Sequence, residues 1–251
     1  MREMRTDRPD KTESPYTVDA GHFQLEMDLV SYTHDRQKFS PGFVATAESW
    51  AVAPINLKVG LCNRVDFQVV LETWNQVTTE LEFRGIPLFR SKQRGFGDVT
   101  TRLKVNLWGN DGGTTAFAAM PFVKLPTHQD ELGNDSVEGG VILPLAVELP
   151  HGFGLGLMTE LDFIRDGNGD GYHPEFINSI TFSHDIVGDL AGYAEFFSLV
   201  STERNSDWMG TVDLGLTYGL TDNLQLDAGV NIGVTQSADD LNPFVGLSWR
   251  F

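Results

Sequence analysis

Apolar and polar residues alternate along most of the chain, most clearly between Thr211 and Phe251. In the segments 212–218 and 224–232 every second residue is large and apolar, and the residues between them are polar or small. A period of two is that of a β-strand with one apolar and one polar face. The turn-forming segment 219–223 is short, so it is predicted to join these strands in a tight hairpin.

The same pattern predicts twelve strands in residues 21–251, after a polar arm formed by residues 1–20. The predicted strands cover approximately 23–29, 43–61, 65–72, 99–107, 114–125, 141–147, 153–163, 175–184, 190–200, 212–218, 224–232 and 245–251. Short connections near 62–64, 109–113, 150–152, 185–189 and 220–223 alternate with longer ones near 33–42, 78–95, 126–139, 165–174, 201–208 and 235–241. An even strand count with this asymmetry is typical of transmembrane β-barrels. The predicted fold is therefore an all-β, transmembrane antiparallel barrel with short periplasmic turns and longer extracellular loops.

The final strand carries a further signal of this class. Its apolar face ends on an aromatic residue, as in outer-membrane proteins, and is interpreted as an assembly signal formed by Val245, Leu247, Trp249 and Phe251. Residues 1–15 are charged and contain no apolar leader, so we expect that a signal peptide was removed and that the protein is located in the bacterial outer membrane.

Composition narrows the function classes. The formal net charge of −17 disfavours nucleic-acid binding, because phosphate contacts need clustered Lys and Arg side chains. A single cysteine, Cys62, excludes an internal disulfide framework. The longest apolar run, 141–147, is much shorter than the roughly 18 residues that a membrane-spanning helix needs.

Several segments in order resemble one known family, the outer-membrane channels named for a "MetA-pathway of phenol degradation". The matching segments are 6–15, 16–26 (YTVDAGHFQLE), 95–108 (GFGDVTTRLKVNLW), 121–127 (PFVKLPT), 138–144 (EGGVILP) and 229–251. The resemblance implies a monomeric barrel of about twelve strands that passes small hydrophobic or aromatic molecules. It also implies contacts with outer-membrane lipid and lipopolysaccharide, and with the barrel-assembly machinery during insertion, and no cofactor.

In such a barrel the polar strand faces point into the lumen, and here they are rich in acids. The predicted acidic lining is Glu26, Asp28, Asp66, Glu72, Asp98, Glu148, Glu160, Asp162, Glu195, Asp213 and Asp227. The predicted basic lining is Lys58, Arg102, Lys104, Lys124 and Arg250. Acids in a narrow, low-dielectric pore would favour cations or neutral solutes. The alternative is that these charges pair across the lumen and merely fill it.

Inward-facing glycines suggest a place for the N-terminal arm. A glycine within a strand often marks the close approach of another backbone, and the predicted smooth wall consists of Gly154, Gly156, Gly215, Gly229 and Gly233. The hypothesis is that the arm folds into the lumen and that Arg8 and Lys11 meet inward carboxylates. The other charged residues of the arm are Asp7, Asp10 and Glu13. The alternative is a disordered periplasmic tail.

Aromatic residues lie near both ends of the predicted strands. Tyr218, Trp249 and Phe251 fall near the short turns, whereas Phe163, Tyr172 and Trp208 fall near the long loops. Two such bands fit the aromatic girdles at membrane interfaces. In a soluble or periplasmic barrel that binds an apolar ligand, the same residues would instead form the core, and the pattern alone does not separate these alternatives.

Two weaker motifs complete the set. Asp166, Asn168 and Asp170 resemble the start of a calcium loop, but its twelfth position is Ile177 rather than Glu, so no metal is predicted. His184 lies near Ser179 and Ser183, as in a lipid hydrolase, but without a placed acid. The sequence therefore predicts a non-enzymatic channel for passive uptake, with a structural barrel or a lipid hydrolase as alternatives.

Overall fold

A computed structural model describes residues 1–167, 169 and 171–251, and within them it contains fifteen β-strands and a short 3-10 turn at Pro150–Gly152. The strands are β1 (Phe23–Ser40), β2 (Phe43–Val52), β3 (Ile55–Cys62), β4 (Val65–Leu71), β5 (Trp74–Phe83), β6 (Ile86–Gly95), β7 (Val99–Trp108), β8 (Thr115–Leu125), β9 (Glu138–Glu148), β10 (Phe153–Arg165), β11 (Tyr172–Val187), β12 (Leu190–Ser201), β13 (Met209–Thr221), β14 (Leu224–Gly233) and β15 (Leu241–Arg250). Among the described residues no helix is long and apolar enough to cross a membrane.

Antiparallel pairing closes the sheet into a barrel. Its wall is the ring of twelve strands β1, β3, β4 and β7 to β15, closed where β15 pairs with β1. The register sets Leu25 opposite Trp249 and Glu26 opposite Ser248. Closure pairs the backbone groups of the two edge strands, so the ring itself has no open edge. The predicted all-β antiparallel barrel of about twelve strands is confirmed.

The additional strands β2, β5 and β6, together with the second half of β1, continue the wall strands β1, β3, β4 and β7 beyond the barrel. β2 continues into β3 across Ala53 and Pro54, where Ala53 has a φ of 54° and proline lacks a backbone donor. In the same way β5 continues β4 and β7 continues β6, and the second half of β1 pairs with β2. We call the sheet formed by β1 from Val30 onward, β2, β5 and β6 the extension.

Two of the loops predicted from the sequence are wrong, because the extension occupies them. Residues 33–42 and 78–95 were expected to be long loops, but they lie mostly in β1, β5 and β6. The outward positions of these strands carry residues such as Glu80 and Lys92, and β6 is largely exposed on both faces. Because neither face of this sheet is strongly apolar, its alternation does not look like that of a half-buried strand.

The two faces of the barrel wall have opposite character. Outside, Leu57, Leu214 and Val245 keep 38%, 44% and 41% of their surface exposed. Inside, Lys104 and Asp213 are fully buried. A barrel in water places its large apolar side chains in the core, so this wall has the arrangement of a barrel surrounded by lipid.

Aromatic side chains pair on the outer wall at both ends. Near the long loops the ring centroids of Phe196 and Trp208 lie 6.5 Å apart, and near the short turns those of Trp249 and Phe251 lie 4.7 Å apart. The predicted girdle residues Phe163, Tyr172, Trp208, Tyr218, Trp249 and Phe251 are each about half exposed.

Candidate functional site: the lumen and its N-terminal arm

Residues 1–20 lie inside the barrel as a loop whose two ends are at the short-turn end. At that end Arg250 donates to the backbone oxygen of Arg2 at 2.9 Å. On the returning limb Asn106 donates to the oxygen of Pro15 at 2.9 Å, and Val18 donates its backbone N–H to Asp66 at 3.0 Å. The structure therefore places the arm in the lumen rather than in a periplasmic tail.

The rising limb is held by Asp7, which is only 8% exposed. Its carboxylate accepts hydrogen bonds from the ammonium groups of Lys58 and Lys104, the latter at 2.5 Å, and from the backbone N–H of Ser14 at 3.0 Å. Burial works to raise the pKa of Asp7, but the charges of Lys104 and Lys58 outweigh it and hold the pKa below its usual value. The Asp7 backbone N–H also donates to Glu26, which pairs with Lys58.

Arg8 joins two strands on opposite sides of the seam where β15 completes the ring. Its guanidinium contacts the carboxylates of Asp28 on β1 and Asp227 on β14, each at 2.6 Å. It also lies over the ring of Phe244, with its central carbon 5.6 Å from the ring centroid. A planar, permanently charged group suits such multiple carboxylate contacts.

At the apex of the arm Lys11 and Thr12 contact β11, β12 and β13. The Lys11 ammonium lies 3.2 Å from an Asp213 oxygen and 4.6 Å from the centre of the Phe197 ring. The backbone N–H groups of Lys11 and Thr12 donate to the two oxygens of Glu195 at 2.9 and 2.8 Å. Burial, followed by the charge of Glu195, raises the pKa of the neighbouring Asp10 to about 8. Asp10 is thus mostly protonated at neutral pH.

Most predicted lumen charges contact the arm, and the others separate into smaller groups. Glu13 pairs with Arg102 at 2.5 Å. The lining residues that contact the arm are Glu26, Asp28, Asp66, Glu195, Asp213, Asp227, Lys58, Arg102, Lys104 and Arg250.

Toward the long loops Lys124 pairs with Asp98 at 3.5 Å and with Glu138 at 3.3 Å, and Glu72 is half-buried nearby. Glu148 lies exposed at the end of β9. Within the described part of the chain Glu160 and Asp162 form no ion pair with a basic side chain. Ion pairs with the arm or with Lys124 therefore neutralise most of the charged residues that line the lumen. The acidic patch formed by Glu160 and Asp162 on β10 is not part of these ion pairs.

The predicted glycine wall requires a correction. A Cβ at Gly156 would lie 3.1 Å from the Thr12 methyl group, so this glycine does face the arm. Gly215 instead makes room for the Tyr193 ring, and Gly229 for the Phe244 ring and the Tyr193 hydroxyl. Gly154 makes room for Ser183, and Gly233 for the backbone of the β14–β15 connection. The pattern overlooked Gly246, where a Cβ would lie 2.2 Å from the Arg8 guanidinium. Sequence periodicity shows which face a glycine lies on, but not what lies opposite.

The family described as "Putative MetA-pathway of phenol degradation" matches residues 6–251, which includes most of the arm and the whole barrel. The chain belongs to this family. No curated protein matches the chain.

Several solved structures share the fold of this family member. An outer-membrane channel from Pseudomonas putida F1, described as COG4313, is 11% identical with a TM-score of 0.63, over 95% of this chain and 98% of that one. The NanC porin is 11% identical with a TM-score of 0.53, over 88% and 98%. A deletion mutant of the TodX monoaromatic hydrocarbon channel is 11% identical with a TM-score of 0.51, over 94% and 91%. At sequence identities of 11%, the structural similarity to these proteins establishes the fold alone, that of an outer-membrane barrel.

An apolar cluster lines the lumen next to the arm of this family member. Met120, Ile142, Met158 and Ile177 are buried together on β8 to β11, with Phe122, Phe197 and Leu199 packed against them. The Glu13 backbone N–H points at the Met158 sulfur at 3.4 Å, so the cluster and the arm are in contact. Alternation already places Ile142 and Met158 on the inward face. The joining of five strands into one apolar surface was not predicted.

The weaker motifs are separated by the fold. Ser179 and Ser183 lie on the inward face of β11, where Ser179 contacts Thr12, whereas His184 falls on the outward face and packs against Phe153. This is not the geometry of a nucleophile and its base. Of the weak calcium candidates, Asn168 and Asp170 lie outside the described residues, and Asp166 contacts His173.

Proposed function

We propose that this family member is an outer-membrane channel for the passive uptake of small hydrophobic or aromatic molecules, and that its N-terminal arm narrows the lumen. The observation that carries the proposal is the apolar cluster beside a charged arm inside a closed barrel. It is supported by the family's description in terms of phenol degradation and by the fold shared with a monoaromatic hydrocarbon channel.

The width of a twelve-stranded barrel determines how much of the lumen the arm fills. Twelve strands about 4.8 Å apart and tilted by about 40° enclose a backbone cylinder of roughly 12 Å radius. Inward side chains occupy roughly 5 Å of that radius, which leaves a space little wider than two chain segments side by side. The arm provides two such segments, so it narrows the polar part of the lumen and leaves little room for bulk water and ions.

The apolar cluster provides the complementary surface. A neutral aromatic solute loses little on leaving water if it moves along Met, Ile and Phe side chains, whereas a hydrated ion gains nothing there. The acidic patch formed by Glu160 and Asp162 lies on β10, two and four residues from Met158. We propose that it repels anions and gives the residual ion flow a cation preference.

The proposal includes the surroundings of the barrel. Exposed apolar side chains on the wall, with aromatic residues at both ends, suit outer-membrane lipid and lipopolysaccharide and a monomeric barrel. The outward apolar face of β15 is proposed as the surface that the assembly machinery contacts during insertion. Phe251 fits such a role, because it exchanges two backbone hydrogen bonds of 2.9 Å with Phe23 at the closing seam.

Planar bilayers with the purified protein test the channel. We expect small, cation-selective steps for the full chain and clearly larger steps after deletion of residues 1–14. The double variant Glu160→Gln, Asp162→Asn should reduce the cation preference, and Glu80→Gln on the extension serves as the matched control. A folded protein that conducts no ions with or without the arm would contradict the channel.

Uptake of labelled phenol by cells tests the solute class. An outer membrane carrying the protein should pass phenol faster than one without it. Met158→Gln should lower that rate, whereas Met4→Gln at the half-buried start of the arm, away from the apolar cluster, should not. Equal rates with and without the protein would favour a structural barrel.

A further inference from the structure

Three residues that are separated in sequence meet at the long-loop end of the barrel. Asp166 follows β10, His173 is the second residue of β11, and Glu203 lies in the connection after β12. Each offers one ligand atom, and these atoms all lie within 4.8 Å of one another. The structure thus brings together one imidazole and two carboxylates, one from the connection after β10, one from β11 and one from the connection after β12.

The imidazole is the best-defined member of this group. His173 is only 7% exposed, and its Nδ1 lies 2.9 Å from an Asp166 oxygen. Its other nitrogen, Nε2, faces Glu175 Oε1 at 3.4 Å. Metal-bound histidines commonly have a carboxylate at the nitrogen that does not bind the ion, which fixes the tautomer and the ring orientation. Glu175 lies where such a partner is needed.

Glu203 is oriented from the opposite side. The backbone N–H of Gly167 donates to its Oε1 at 2.7 Å, which ties the connection after β12 to the one after β10. Each carboxylate oxygen retains a lone pair for a further contact. Asp166 and Glu203 are both half-buried, so their negative charges are less screened than those of fully exposed side chains.

The donor set selects the class of ion. One imidazole nitrogen with carboxylate oxygens suits zinc and other first-row divalent metals, whereas calcium and magnesium prefer oxygen ligands alone. Around an ion bound at about 2.1 Å, neighbouring ligand atoms lie roughly 3 to 3.5 Å apart. Ligand atoms at the observed limit of 4.8 Å would therefore have to approach one another by roughly 1.3 to 1.8 Å, between side chains that already face one another.

We propose that Asp166, His173 and Glu203 bind a divalent metal ion of the zinc class at the long-loop mouth of the barrel. Bound there, the ion joins the β10–β11 connection to the β12–β13 connection across the top of β11 and β12. The proposal does not depend on what passes through the lumen. The competing arrangement is a metal-free one, in which a protonated His173 pairs with the carboxylates.

Calorimetry on the full chain in detergent tests the site. After removal of metals with EDTA, titration with ZnCl₂ at pH 7.5 should show one site. His173→Gln and Glu203→Gln should each weaken binding by about tenfold or more, as loss of a ligand does. Glu80→Gln makes the same substitution at another glutamate, on the extension at the long-loop end, and should leave the affinity unchanged. CaCl₂ should not compete at equal concentration.

A second measurement covers variants that fold poorly. Zinc should raise the temperature at which the wild-type barrel unfolds, by linkage between binding and folding, and should not do so in His173→Gln. Zinc binding of equal affinity in the wild type and in both ligand variants would overturn the proposal, because it would place the ion elsewhere. The absence of saturable binding to the wild type would overturn it in favour of the metal-free pair.

Discussion

The attachment of the arm should depend most strongly on Asp7. Asp7→Asn keeps the size of the side chain and an oxygen that accepts from Ser14, but it removes the negative charge that faces two ammonium groups. Lys58 retains Glu26 as a partner. Lys104 is fully buried, and among the described residues Asp7 is the one carboxylate that forms an ion pair with it.

The free-energy cost of Asp7→Asn follows from the loss of this ion pair at Lys104. Leaving a buried charge without its partner costs about 3–5 kcal/mol, and the lower end applies here because the lumen admits some water. A cost of about 3 kcal/mol changes an equilibrium roughly a hundredfold. Since the barrel wall contributes its own strand pairing, the cost should fall on docking of the arm, so its released population should rise by about that factor.

Thiol labelling measures the released population. In a Cys62→Ser background, Ser14→Cys places the thiol on the half-buried part of the arm. If the arm opens and closes faster than the reagent reacts, the labelling rate is proportional to the open fraction. The Asp7→Asn variant should label about a hundred times faster than its parent. Lys104→Met in the same chain should restore much of the protection, because it removes the buried ammonium.

The matched control is Glu3→Gln, which removes one negative charge from the same arm. Glu3 is exposed, and among the residues that the structure describes its one ion pair is with the exposed Arg5, at 2.9 Å, so its contribution should be within about 1 kcal/mol. Labelling of Asp7→Asn within threefold of both the parent and Glu3→Gln would refute the argument. It would mean that the arm is held by its other contacts or that water already screens Lys104.

Three other predictions address the arm and the wall. Docked Asp10 keeps its proton up to about pH 8, whereas in the released arm it loses it near pH 4, so docking should weaken as pH rises between these values. Thiol labelling, divided at each pH by the rate of free cysteine because only the thiolate reacts, should therefore accelerate over that range, and Asp10→Asn should remove most of this change. Gly246→Ala should expose the arm at all pH values, because the added methyl group occupies the place of the Arg8 guanidinium. Leu214→Lys on the lipid-facing wall should cost about 2–4 kcal/mol and lower the temperature of the gel-mobility shift on heating, whereas Thr78→Lys on the extension should not. An unchanged mobility transition for Leu214→Lys would argue that this face meets water.

The sequence by itself determined the barrel and the direction of most side chains. A period of two is a local property of each strand, so alternation alone placed Lys58 and Asp213 on one face and Leu57 and Leu214 on the other. Short and long connections could also be counted locally. The extension was overlooked because both of its faces are largely polar, and a strand without an apolar face resembles a loop.

Only the tertiary structure decided which inward groups meet. Asp7 contacts Lys104, and Arg8 contacts Asp227, through pairings set by barrel closure and by the path of the arm, and no local pattern encodes either. The same holds for Gly246, whose role depends on Arg8 lying opposite. It holds as well for His173 and Glu203, which come together because β11 and β12 return the chain to the same end of the barrel. Periodicity fixes the face of a residue, whereas its partners depend on contacts between residues distant in sequence.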